Sequence, residues 1–282
     1  MLVGVVSDDP ALLLEVPDDL GVGVEHVQPG PRTDLVGEPP QAVHRDHLPD
    51  GDAGRLAGRL VVLAEAGRHV GVTVHDHVIV GDVDELVVVD PAAGVSLLDF
   101  LRDQPIRRVL TPVGLEVVHR VADEPAPIED HILGPRRHVR LAPHYSKPCV
   151  VSQGVKIARG GHFTQADKLH TPDELLLLHL KFCDFDNYAR VMDHRNAVTE
   201  AVGVGVRDAS IGRHWFAEAR GEDRAVFEGF AELEMQEGFD LGWVRKRMHR
   251  TWKARGETGY WQFDRPDHAL QYRLPERFTG LI

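Results

Sequence analysis

Val78-Ile79-Val80-Gly81-Asp82-Val83-Asp84-Glu85-Leu86-Val87-Val88-Val89, ended by Asp90-Pro91, is the stretch on which the reading of the fold turns. Short runs of β-branched residues predict buried strands, and the residue before a proline tends to leave regular structure. Between the two apolar runs, Asp82, Asp84 and Glu85 place three carboxylates within four residues. Ligands of open α/β sheets collect at the carboxyl ends of strands, and the cluster falls at such an end. On extended backbone Asp82 and Asp84 would share a face. Two converging carboxylates repel each other, so unless one takes up a proton they call for a cation. Hard oxygen donors suit Mg²⁺ or Mn²⁺, which keep positions open for water and substrate phosphates. A metal between carboxylate and diphosphate would neutralise the charge that builds on a departing nucleoside diphosphate. Asp84 is then the direct ligand. Asp82 would meet a ribose or bind the metal through water. Glu85 would hold the loop or a water one step out from the metal. The plain alternative is an acidic surface turn.

Outward from this stretch, the pattern alternates strands and helices. Leu2 to Val6 reads as a buried first strand and Val22 to Val27 as a second, and residues 28–54 read as a long loop. Arg55 to Ala66 has helical spacing. Ser96 is a helix cap, with Asp99 at the capping-box position. Arg108 to Val118 reads as two strands interrupted at Pro112 and Gly114, and Cys149 to Ile157 as a hairpin around Gln153-Gly154. Leu175 to Leu180 is a further strand, and Asp186 would cap a helix running to His194. Beyond residue 200 the spacing turns mainly helical, over Ala225 to Gln236 and Leu241 to Ala254. The alternation predicts an α/β fold with a mixed sheet flanked by helices over residues 1–200, and a helical extension over 201–282.

The 282 residues, 43% hydrophobic, suffice for a sizeable core. A net charge of −12 argues against nucleic-acid binding and against docking on anionic membranes. No apolar run reaches the ~18 residues of a membrane span. The first residues lack the basic region and apolar core of a signal peptide. The two cysteines, Cys149 and Cys183, read as buried thiols of a reducing compartment. A cytoplasmic protein is expected.

Among seventeen histidines, position singles out two. His179 lies inside Leu175-Leu176-Leu177-Leu178-His179-Leu180-Lys181, and a buried imidazole needs a polar partner. It reads as a core histidine or as a third metal ligand. Lys181, two residues on, shares its face and is a candidate phosphate contact. His162, in Gly160-Gly161-His162-Phe163, is a candidate contact to acceptor or metal, because glycines let a ligand approach closely.

These stretches together resemble a bacterial glycosyltransferase family 2-like group of GT-A fold, over roughly residues 55–195. The carriers are His77 to Leu86, Asp90-Pro91, Gly114 to His119, Tyr145-Ser146-Lys147-Pro148, Gly160-Gly161-His162, Leu177 to Lys181, and Asp184-Phe185-Asp186. The resemblance implies a metal-dependent enzyme that moves a sugar from a UDP- or GDP-sugar to a glycan, lipid-linked or protein acceptor. It implies metal and donor binding by Asp82 and Asp84, completion of the metal site by His179, and a phosphate or acceptor contact by Lys147. Asp8 and Asp9, after the first strand, are the candidates to touch the base. Two rival readings stand beside it. One is a non-catalytic binding protein that keeps the fold. The other is a haloacid dehalogenase-type phosphohydrolase, which also places Asp-x-Asp after an apolar strand but needs a later strand ending in paired acids, which the sequence lacks.

Overall fold

The computed structural model describes residues 2–6, 77–105, 107–158, 161–202, 223–265 and 270–282. The expected strand at Val22 to Val27, the loop 28–54, the helix Arg55 to Ala66, and Asp8 and Asp9 lie outside the described residues.

The described part is a mixed α/β structure. Its strands, in chain order, are β1 (Leu2–Val6), β2 (His77–Gly81), β3 (Glu85–Val89), β4 (Val109–Leu110), β5 (Val113–Val118) and β6 (His138–Leu141). They continue with β7 (Val150–Val151), β8 (Leu175–Phe182), β9 (Glu234–Met235), β10 (Lys253–Ala254), β11 (Trp261–Gln262) and β12 (Leu270–Arg273). The helices are α1 (Leu97–Arg102), α2 (Phe185–Val202), α3 (Asp223–Gly229) and α4 (Gly242–Thr251). No helix among the described residues is long and apolar enough to cross a membrane.

The apolar runs on either side of the acidic cluster become strands, but they enter different sheets. β2 joins a four-stranded sheet of order β1-β2-β7-β4, and β3 opens a six-stranded sheet of order β3-β8-β5-β6-β12-β9. Asp82 to Asp84 form the turn where the chain crosses between them, closed by the Glu85 N–H donating to the Asp82 carbonyl at 3.1 Å. The large sheet is mixed: β8 runs antiparallel to β3 and parallel to β5.

β8 shows why the two sheets stay together. Leu176 and Leu178 pack into one core with Leu115, Leu141, Val244, Met248 and Tyr272. Leu175 and Leu177 point the other way, into a core with Phe100, Leu101, Leu110 and Val150. Period-two alternation thus divides the strand between two apolar layers. Each of these fully buried leucines contributes about 2 kcal/mol. His179 continues the second face.

Local signals hold where they rest on local bonds. Ser96 accepts from the Asp99 N–H at 3.1 Å and its hydroxyl donates to the Asp99 carboxylate at 2.6 Å, which starts α1. Four expectations change. Gly114 does not interrupt a strand; it lies inside β5. Val150 and Val151 do not form a hairpin with residues 155–157; they sit between β2 and β4. The helix after β8 is capped by Asp184, whose carboxylate accepts from the Asn187 N–H at 2.8 Å, and not by Asp186. The C-terminal stretch is not a helical extension in its described part. α3 stops at Gly229, and β12 pairs with β6 inside the large sheet. Tyr272, Leu274 and Phe278 are buried in the main core. Helical spacing could not reveal this, because strand pairing with residues 138–140 is a long-range contact.

Candidate functional site

Register across the large sheet lines up polar residues on one face. Glu85 pairs with His179, His179 with Glu116, Glu116 with Arg140, and Arg140 with Gln271. Directly opposed residues of neighbouring strands project to the same side. A row of charged and polar side chains therefore crosses the sheet.

At its centre the His179 ring lies between two carboxylates. Nδ1 meets Glu116 at 2.9 Å and Nε2 meets Asp84 at 3.3 Å. A protonated ring donates to both. Burial alone would lower the His179 pKa, but the bonds to Asp84 and Glu116 and their charges outweigh it and raise it. The same contact works on Asp84. Burial would raise its pKa, and the His179 bond and charge hold it below the ordinary carboxylate value. Behind His179, Glu116 (2% exposed) also pairs with the Arg140 guanidinium. Arg140 in turn lies over the rings of Phe182 and Phe230 at 5.4 and 5.1 Å.

The segment after β6 covers this row. The Tyr145 ring stacks on the His179 ring, with centroids 3.7 Å apart and planes 15° apart. Lys147, buried at 5% exposure, pairs with the fully buried Glu85. Its ammonium also reaches Asp82 at 3.4 Å. Burial, then the charges of Glu116, Asp84 and Glu85, push the Tyr145 phenol pKa far up, so the hydroxyl stays neutral. Gly114 makes this cover fit. A Cβ there would stand 2.3 Å from the Tyr145 carbonyl carbon and 2.5 Å from the Ser146 nitrogen. The Gly114 N–H instead donates to the Ser146 hydroxyl at 2.8 Å.

The expected three-ligand set of Asp82, Asp84 and His179 is not assembled. Asp82 and Asp84 lie in a turn, where period-two projection does not apply, and their side chains part. Asp82, 57% exposed, faces Lys147, while Asp84, 42% exposed, faces His179. Among the described residues no group of three or more His, Cys, Asp or Glu is arranged to hold a metal ion. A narrower donor pair does converge. Asp84 Oδ2 and His179 Nε2 are 3.3 Å apart, close to the ~3 Å edge of an octahedron with bonds of about 2.1 Å. Glu116 fixes the other ring nitrogen, as carboxylates commonly do behind a metal-bound histidine. That separation matches two adjacent ligands of a small hard cation, and no third protein donor joins them among the described residues.

The other expected residues are placed as follows. Glu85 is tied to Lys147 and accepts from the Asp82 N–H at 3.2 Å, so it anchors the turn. Lys181 stands two residues along β8 from His179, its ammonium 4.9 Å over the Phe182 ring. His162 lies off this centre, in a neighbouring cleft. Both cysteines are buried and free. Glu116 and Tyr145 entered the sequence reading only within stretches that carry the resemblance, without a role of their own, and Arg140 did not enter it. The signal for Glu116 was present: a lone carboxylate in Val113 to Val118, a strand buried at every position. Comparison of the chain with protein-family models, curated proteins and solved structures finds no match.

Proposed function

We propose that the chain is a metal-dependent glycosyltransferase of the GT-A kind, transferring a sugar from a UDP- or GDP-sugar to a glycan, lipid-linked or protein acceptor in the cytoplasm. The observation that carries this reading is the convergence of Asp84 and Glu116 on the two nitrogens of His179, at the turn where β2 passes into β3. Asp84 and His179 would hold Mn²⁺ or Mg²⁺. When bound, that ion would neutralise charge on the departing nucleoside diphosphate. Metal binding would displace the proton from His179 Nε2.

The chain's own residues supply positioning. Glu116 locks the His179 ring through Nδ1, and Arg140 balances the Glu116 charge. Tyr145 packs on the ring face and excludes water there. Asp82, exposed beside Lys147, would accept from a ribose hydroxyl. Lys147 offsets the negative charge of Asp82 and Glu85 and would favour a nearby phosphate.

A thermal-shift screen of nucleotide sugars with and without Mn²⁺ tests this, on wild type and Asp84→Asn. A donor at a hundredfold excess over its Kd should stabilise wild type by about 2.7 kcal/mol, with metal only. Asp84→Asn should lose that shift. Equal shifts in the two proteins, or none with any donor, would sink the proposal. The engagement of Asp82 by Lys147, away from Asp84, favours a second reading: a binding protein of the same fold without transferase activity. Metal-dependent nucleotide binding without turnover of any nucleotide sugar would select it.

A further inference from the structure

A cleft of about 300 Å³ opens beside the centre, between the turn Pro143–Tyr145, the loop around His162, and the segment after β11. That is the lower end of the size range of small-molecule sites. The turn separates the two places. His144 lines the cleft, while the next residue, Tyr145, stacks on His179.

The walls combine two chemistries. Phe163 and Phe263 supply apolar surface. Phe263 continues into a partly exposed stack, with Trp252 6.3 Å from Phe263 at 27° and 6.1 Å from Trp261 at 23°. Phe263 is the ring of this stack that lines the cleft, where its partly exposed surface suits the C–H face of a sugar, and Gln262 beside it offers amide donors and an acceptor. The charge is the second feature. The charged groups among its described lining residues are Arg265 and Asp264. Arg265 donates to the ring of His144, and among the described residues no carboxylate pairs with Arg265. Asp264, also at the cleft, is held by Lys253 at 2.6 Å. Lys147 lies behind the loop, where a Cβ on Gly161 would come 3.3 Å from its Cδ. His162 senses its burial and the nearby cations. Burial, followed by the charges of Lys147 and Arg265, lowers its pKa to about 4, leaving it a neutral hydrogen-bonding group.

We propose that this cleft binds a sugar carrying an oxyanion, a carboxylate or a phosphate, with the ring against Phe163 and Phe263 and the anion on Arg265. Its role as the acceptor rests on the transferase reading; the binding itself does not.

Calorimetry on the full chain, without donor or metal, tests it with glucuronate, glucose, inorganic phosphate and UDP as probes. Glucuronate should bind more tightly than glucose or phosphate. Arg265→Gln should weaken glucuronate by about tenfold or more, as loss of a charge-assisted bond does, and Arg265→Lys should recover part of the loss. Phe263→Ala should weaken glucuronate and leave phosphate unchanged. Binding of glucuronate no tighter than glucose, or insensitive to Arg265→Gln, overturns the proposal. Phosphate matching glucuronate would mean an anion site without sugar recognition, and would also overturn it. Displacement of glucuronate by UDP in competition, with UDP itself weakened by Arg265→Gln, would assign the cleft to the donor diphosphate and overturn it too. Glucuronate bound through Arg265 in a protein that turns over no nucleotide sugar supports the cleft and defeats the transferase reading, so the two fail separately.

Discussion

Lys147 and Glu85 form an ion pair in which the side chains keep only 5% and 1% of their exposure. Removing one partner of a buried pair leaves the other charge without water or counterion, at a cost of about 3–5 kcal/mol. The surroundings decide where in that range each substitution falls. Glu85→Gln keeps an oxygen for the Asp82 N–H, which bonds Glu85 at 3.2 Å. It also leaves Lys147 the Asp82 carboxylate at 3.4 Å, although that group is largely exposed. Its loss should therefore lie near 3 kcal/mol. Lys147→Met leaves Glu85 with no other cation in contact among the described residues and should lose about 5 kcal/mol. The double variant buries no charge at this point and should lose only about 1–2 kcal/mol, as buried pairs exchanged for neutral groups often do. The coupling from the double-mutant cycle should then exceed about 3 kcal/mol. Urea unfolding of the four proteins at pH 7, followed by circular dichroism, measures it. Single losses below about 1 kcal/mol, or losses that simply add, would refute the claim that this pair is buried and mutually dependent.

Two further predictions follow from the same geometry. Gly114→Ala forces a Cβ against the backbone of Tyr145 and Ser146, and should destabilise by about 3 kcal/mol or more; a urea midpoint close to wild type would contradict the close approach. The depressed pKa of His162 makes a pH signature. Below about 6.5 the unfolded chain takes up a proton that the folded chain refuses. Stability should therefore fall with pH from about 6.5 to about 4 and carry no further change from this group below that. His162→Gln should show a shallower fall between pH 7 and 5; parallel curves would refute the assignment.

The sequence alone determined what depends on neighbours along the chain. The apolar runs of residues 78–80, 86–89 and 175–180 became strands because β-branched and leucine runs favour extended backbone, although residues 78–80 end only half-buried and Leu86 exposed. The helix at Leu97 began at Ser96 because its cap bonds three residues ahead. The isolation of His179 in an apolar strand likewise marked it as needing a polar partner. Tertiary structure decided everything that depends on register. It sent β2 and β3 into separate sheets, placed Val150 between β2 and β4, and drew β12 from the C-terminal stretch into the large sheet. It also set Glu116 beside His179 and turned Asp82 towards Lys147. These partners lie 63 and 65 residues apart. No local pattern encodes which strand lies next to which, since each apolar strand could satisfy its backbone bonds against several others. Only the simultaneous packing of both faces of β8 selects one arrangement, and the site exists where that arrangement lines up its few charges.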